Sequence, residues 1–183
     1  MIKKILLVLG ILLAIPLVTA LFVKQDYEVE TQVVIQQPAQ VVFDYIRFLG
    51  NQDNFSVWMA LDPEVQKTYQ GQDGTPGFVS AWQSDKNEVG KGEQEIIAIR
   101  AGERIDYELR FLAPFASVAS AYIQLEAQSS DQTKVSWGFQ GAMPYPMNLL
   151  LLVLDMEGMI LHNGMSLVEW LLIMTGVGSS NPS

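Results

Sequence analysis

The segment from Pro144 to Met174 constrains this chain more than any other. Met147 to Leu154 is almost wholly apolar, and polar side chains then recur at seven-residue steps: Asn148, Asp155, His162 and Glu169. Seven residues make two turns of an α-helix, so these four fall on one narrow stripe that drifts by about 20° per repeat. The rest of the circumference is Leu, Met, Ile, Val and Trp, with Gly158 and Gly164 where another surface can come close. A surface helix ordinarily has an apolar stripe and a wide polar face; here the proportions are reversed. The pattern predicts a long helix, its polar stripe to solvent, sunk into something concave. A membrane span needs about 20 apolar residues with few charges, and Asp155, Glu157, His162 and Glu169 interrupt it. A plain buried core helix is the simplest alternative.

The preceding chain reads as the concavity. From Tyr27 to Ile35 the odd positions are Tyr, Val, Thr, Val and Ile, against Glu28, Glu30 and Gln32. Period-two alternation with one wet face predicts a strand. Pro38 opens a helix over Ala39–Leu49, closed by Gly50-Asn51, and a second short helix follows over Asp53–Met59, containing Phe55 and Trp58. Strands are then predicted at Val65–Tyr69, Phe78–Gln83, Gly92–Arg100, Arg104–Phe111, Ser117–Ala127 and Thr133–Gln140. The alternation is cleanest where Ile105, Tyr107, Leu109 and Phe111 oppose Arg104, Asp106, Glu108 and Arg110. Strand, two short helices, a run of strands and one long helix make an α+β fold: a curved antiparallel sheet of about seven strands wrapped around the C-terminal helix.

The N-terminus carries a separate signal. Met1-Ile2-Lys3-Lys4 is a short basic leader, and Ile5 to Val23 is an uncharged, nearly continuous apolar run, long enough to cross a bilayer. Lysines before the run stay cytoplasmic, so the remainder faces the periplasm or the cell exterior. Val18-Thr19-Ala20 has the small-residue spacing of a cleavage site, yet the run continues through Leu21, Phe22 and Val23. Two outcomes stand: a retained single-span anchor, or a cleaved signal peptide and a secreted domain. The organisation is an anchor or signal segment over 1–25, one domain over 26–175, and a tail over 176–183.

Composition excludes several chemistries. There are no cysteines among the 183 residues, which removes disulfides, thiolate zinc sites and cysteine nucleophiles. The net charge of −9, with Lys67, Lys86, Arg104 and Lys134 scattered among acids, argues against nucleic acid as partner. His162 is the one histidine and lies on the polar stripe without a positioned base or acid beside it. One histidine among scattered carboxylates has no metal-ligand spacing, so neither metal nor cofactor is expected. Nucleophile motifs and phosphate loops are absent.

The candidate site is a ligand cavity between sheet and last helix. Trp58, Trp82, Tyr107, Leu109, Phe111 and Trp137 fall on inward parities of separate elements, and Met156, Ile160 and Leu167 face them from the helix. Such an apolar lining suits a hydrophobic small molecule or lipid. Glu95 shares strand parity with Ile97 and Ile99 and so points into the cavity near its mouth, where a carboxylate would act as a base or hydrogen-bond a ligand.

The chain resembles the START-like superfamily, the helix-grip fold of the birch pollen allergen, and within it the bacterial polyketide cyclase/dehydrase-like branch of SRPBCC proteins. The resemblance runs from Tyr27 to Leu172. It rests on Tyr27-Glu28-Val29-Glu30, Pro38 to Ile46, Trp58, Asp62-Pro63, Tyr69-Gln70-Gly71, Gly77, Trp82 to Asp85 and Val89 to Gln94. Later matches are Arg104-Ile105, Leu109, Phe111, Pro114, Thr133 to Trp137, Gly141, Pro144, Met156, Gly158, Gly164 and Met165. That superfamily includes lipid carriers, quinone-binding proteins and aromatase/cyclases, so the resemblance implies a fold before a function. Where the branch ends its last helix in a lysine-rich turn, Val168 to Met174 here reads Val-Glu-Trp-Leu-Leu-Ile-Met, an apolar end suited to a membrane surface or an envelope protein partner. Three readings follow: a membrane-tethered extracytoplasmic binding domain; a cyclase- or hydrolase-type enzyme using Glu95 or Tyr107; or a non-catalytic envelope accessory module.

Overall fold

A computed structural model of the chain describes residues 2–52 and 61–155, with the backbone alone for most of the first thirteen positions. The order is α1 (Ile2–Ala20), β1 (Asp26–Ile35), α2 (Ala39–Ile46), α3 (Leu49–Gln52), β2 (Gln66–Gln70), β3 (Val79–Gln83), β4 (Lys91–Arg100), β5 (Arg104–Ala113), β6 (Ser117–Ala127), β7 (Thr133–Ala142) and a 3₁₀ helix, Met147–Leu152. The seven strands form one curved antiparallel sheet in the order β1-β7-β6-β5-β4-β3-β2. Successive hairpins build it from β2 to β7, and β1 closes onto β7 in register from Asp26↔Ala142 to Ile35↔Thr133.

Alternation decides which face is which. Val29, Ile35, Ile105, Tyr107, Ala119, Ala121, Ile123, Leu125 and Val135 are buried on the inner face, while Glu28, Glu30 and Gln32 lie on the outer one. Helices α2 and α3 pack on the inner face through Val42, Phe43, Ile46 and Leu49, and the core they close with Phe78, Ile96, Ile105, Ile123 and Val135 sits at one end of the strands. That position is held by long-range ties. The carboxylate of Asp73 accepts from the Leu49 and Gly50 amides at 2.8 and 2.9 Å, capping α3 from the β2–β3 turn. The same turn bends at Gly74 (φ +77), where a Cβ would stand 2.8 Å from the Phe48 ring. Thr133 donates to the Gln37 carbonyl at 2.8 Å and anchors the start of α2.

Three expectations need correction. The helix expected over Ala39–Leu49 ends at Ile46 and restarts as α3. The long last helix does not begin at Pro144: Pro144 and Pro146 offer no amide donors, and Met147–Leu152 closes with tighter 3₁₀ bonds such as Leu149 N to Pro146 O at 3.3 Å. Asn148 is fully buried rather than part of a wet stripe. Its side-chain amide donates to the carbonyls of Ala20, the last residue of α1, and of Val23 in the turn beyond it, at 2.7 and 2.9 Å, the first an acceptor that the helix end leaves open. The helix expected beyond Met156, the tail over 176–183, the stretch Asp53–Met59 and the residues Trp170 and Leu171 lie outside the described residues.

The N-terminal apolar run forms α1, 19 residues with Pro16 inside it. Among the described residues, which leave out most side chains of the first thirteen positions, no helix is long and apolar enough to cross a membrane.

Because Asp73 caps α3 from a distant turn, Asp73→Ala should cost about 1 kcal/mol of stability, the usual worth of a lost N-cap. A urea titration measures it, and an unchanged midpoint would show that the cap contributes nothing.

Candidate functional site

The inner face is longer than the described helices that pack on it, α2 and α3. At 1.5 Å per residue the eight residues of α2 reach about 12 Å, whereas ten-residue strands such as β1, β5 and β7 run about 33 Å. At the α2 end the face is a closed core. At the other end, reached by the start of β1 and the end of β7, Val29 and Ala119 are buried but the larger side chains are only half-buried: Tyr27, Trp82, Gln94, Leu109, Phe111, Trp137 and Phe139.

These aromatics form two groups. Tyr27 stacks on Phe139 with ring centroids 6.2 Å apart, and Phe139 meets Trp137 at 6.0 Å. On the other side Trp82 and Phe111 meet edge-to-face at 6.0 Å and 76°, a favoured aromatic geometry. Trp82 donates its indole N–H to the Val89 carbonyl at 3.1 Å, so the rest of its ring is free of polar demand. Its ring lies directly over Gly92, where a Cβ would stand 2.5 Å from it, and the Tyr27 hydroxyl lies as close over Gly141. Burial pushes the Tyr27 phenol above its ordinary pKa.

Tyr107 belongs to the closed part. It is 2 % exposed, and Gln52 donates to its hydroxyl at 3.3 Å. Burial, the dominant cause, raises its pKa far above the ordinary phenol value, so the phenol is held in its protonated form and does not serve as a base.

Glu95 lies on the opposite face from the one its parity predicts. β4 carries a bulge: Ile96 pairs with Tyr107, the next pair is Ala98 with Asp106, and Ile97 is the extra residue. A bulge reverses alternation downstream of itself. Counting back from Ile99 therefore assigns the wrong face to every residue before the bulge. Ile97 is 48 % exposed while Ile96 is sealed. Glu95 pairs with Glu108 in register and binds Arg110 at 2.8 Å on the outer face. Glu93 and Glu108 bind the same guanidinium, and together these hydrogen bonds raise the Arg110 pKa further. Gln94, opposite Leu109, is the polar group that β4 turns inward.

Of the expected lining, then, Trp82, Leu109, Phe111 and Trp137 share the open end, Tyr107 sits in the core and Glu95 faces away. Trp58, Met156, Ile160 and Leu167 lie outside the described residues, as do His162 and Glu169. Tyr27, Phe139 and Gln94 complete the open end. The first two carry the inward parity that alternation assigns them; Gln94 was hidden by the bulge. Among the described residues no group of acidic or histidine side chains is placed to hold a metal ion. A groove of about 580 Å³ lies beside the open end, lined by Phe22, Val23, Lys24, Asp26 and Tyr27 on one side and Leu151, Leu152, Leu154 and Asp155 on the other.

No family model matches the chain, and no curated protein sequence matches it. Solved structures do. Norcoclaurine synthase from Thalictrum flavum is similar over 84 % of this chain and 88 % of its own, with a TM-score of 0.63 at 8 % identity. A protein from Nitrosospira multiformis aligns over 81 % and 96 % at 0.55 and 19 %. Ara h 8.0201 aligns over 81 % and 99 % at 0.52 and 16 %. The fold is START-like. At these identities the likeness concerns the fold alone, and the START-like sheet with its two short helices is the part the described residues supply.

The bulge gives a sharp test. Ile96→Ala should destabilise by about 2–5 kcal/mol, as for other buried large-to-small changes, and Ile97→Ala by less than about 0.5 kcal/mol. Equal losses in denaturant titrations would contradict the register.

Proposed function

We propose that this chain is a membrane-tethered START-like protein whose domain faces the periplasm or the cell exterior and binds a hydrophobic small molecule or lipid on the inner face of its sheet. The open end of that face carries this reading. Aromatic and aliphatic side chains from β1, β3, β5 and β7 are left half-buried there, with Gln94 as an inward polar group, the usual make-up of a ligand site. The same architecture holds small aromatic molecules elsewhere: norcoclaurine synthase has been solved in complex with dopamine and hydroxybenzaldehyde. The tether rests on the uncharged run Ile5–Val23 behind its two lysines and on the 19-residue helix that contains most of it.

The motif resemblance to the polyketide cyclase/dehydrase-like branch raises an enzymatic reading, which needs an acid or base beside the ligand. Glu95 is held by Arg110 on the far face, and Tyr107 is sealed in the core. Among the described residues, the inner face therefore offers amides and rings, which position a ligand without moving its protons. Binding is the better-supported activity.

Native mass spectrometry of the full-length protein, released gently from membranes, should show a bound hydrophobic molecule. Leu109→Asp should lower its retention tenfold or more, since burying such a side chain is worth about 1.5–3 kcal/mol. Glu95→Gln should leave retention unchanged. A protein that carries nothing and takes up no fatty acid or sterol would overturn the reading.

A further inference from the structure

One end of the sheet exposes several large apolar side chains, set beside the exposed Lys24, Asp26 and Asp155. Three separate chain segments lie at that end. The first is the turn just after α1, where Phe22 is 85 % exposed. The second is the 3₁₀ helix and the residue after it, Val153, 78 % exposed. The third is the β5–β6 turn, where Phe115 is 82 % exposed. Register places the three together: Asp26 pairs with Ala142, Gln140 with Ser120, and Ser117 with Phe111, so the start of β1, the end of β7 and the β5–β6 turn share one end. The opposite end carries the polar turn Ser129–Gln132. The charged β3–β4 turn, Asp85 to Glu88, also lies at the apolar end but three strands farther from β1 than β6 is, which bounds the apolar area on that side.

Two features tie this end to α1. Asn148 clamps the 3₁₀ helix to the carbonyl of Ala20, the last residue of α1, and to that of Val23 just after it, and the Met143 amide donates to the Gln25 carbonyl of the α1–β1 connection at 2.8 Å. The domain is thus fixed to the end of α1 instead of hanging from a loose tether.

We propose that this end of the domain is seated in the outer leaflet of the membrane that α1 crosses, with Phe22, Phe115 and Val153 inserted among the lipid chains. The proposal rests on the tethered reading above. Its partner is lipid because the exposed residues continue the apolar surface of α1 at the level where a span emerges, and large exposed apolar areas mark contact surfaces. Apolar insertion, not charge, makes the contact: the chain is acidic overall, so zwitterionic lipid suffices. Phe22 and Leu152 also line the groove beside the open end, and Tyr27 is common to that groove and to the aromatic pair with Phe139. A lipid tail leaving the leaflet would meet this groove first and the inner face next.

The chain has no cysteine, so single spin labels can be placed at Leu12→Cys, Phe115→Cys, Val153→Cys and Ser129→Cys in the full-length protein in phosphatidylcholine vesicles. Collision with oxygen, which concentrates in lipid, is compared with collision with a water-soluble nickel chelate. The oxygen-to-nickel ratio at 115 and 153 should exceed that at 129 several-fold and fall below that at 12. Ratios at 115 and 153 equal to that at 129, with 12 deep in lipid, would overturn the seating and leave the tether intact. A label at 153 shielded from both reagents would mean that residues 156–183 or a second copy cover it, and would also overturn the proposal. A label at 12 in water would refute the tether itself.

Discussion

A mismatch of lengths governs this molecule. Ten-residue strands present an inner face about 33 Å long, and α2 with the four residues of α3 supplies about 18 Å of helix, so the described helices leave part of that face uncovered. The covered part becomes a core in which Ile35, Ile46, Ile96, Ile105 and Val135 lose almost all contact with water. The uncovered part keeps the same alternation, and so the same apolar character, without a protein partner among the described residues. Among the described residues, the aromatic rings of the open end follow from sheet periodicity running past α2 and α3.

The outer face shows why the sheet remains single-layered. Glu93, Glu95 and Glu108 surround Arg110. Arg104 lies over the Tyr122 ring at 3.8 Å while its Nε binds Asp106 at 2.7 Å. Tyr122 in turn donates to Glu30, which lowers the Glu30 pKa and raises that of Tyr122 to about 12. Exposed pairs of this kind add little stability one by one. Their effect is to make the outer surface mostly wet, with Val34, Ile97, Leu112 and Val118 as scattered exposed apolar residues.

Most of the fold was legible because alternation is a local signal. Ser117–Ala127 is a strand from its first residue to its last, and the inward residues of β5 and β7 were readable one by one. Three things were not. The β4 bulge inserts Ile97 without any turn residue to announce it, so parity misplaced Glu95 and concealed Gln94. Helical periodicity over Pro144–Leu154 reported an apolar segment correctly, but not that two prolines and the clamp from Asn148 would hold it as a 3₁₀ helix against α1. The bond from Gln52 to Tyr107 joins residues 55 positions apart, and no short-range pattern encodes it. Local pattern reveals which residues face inward; pairing across the chain decides which of them meet.

The central claim is that the open end of the inner face takes a hydrophobic ligand. Its most direct test is an NMR titration of the full-length protein in nanodiscs with a long-chain fatty acid, following the indole N–H signals and the backbone amides. The account predicts that the Trp137 indole signal and the Gln94, Leu109 and Phe139 amides shift saturably, while those of Arg110 and Tyr122 stay still. Shifts confined to the outer face, or no saturable shift at all, would contradict it.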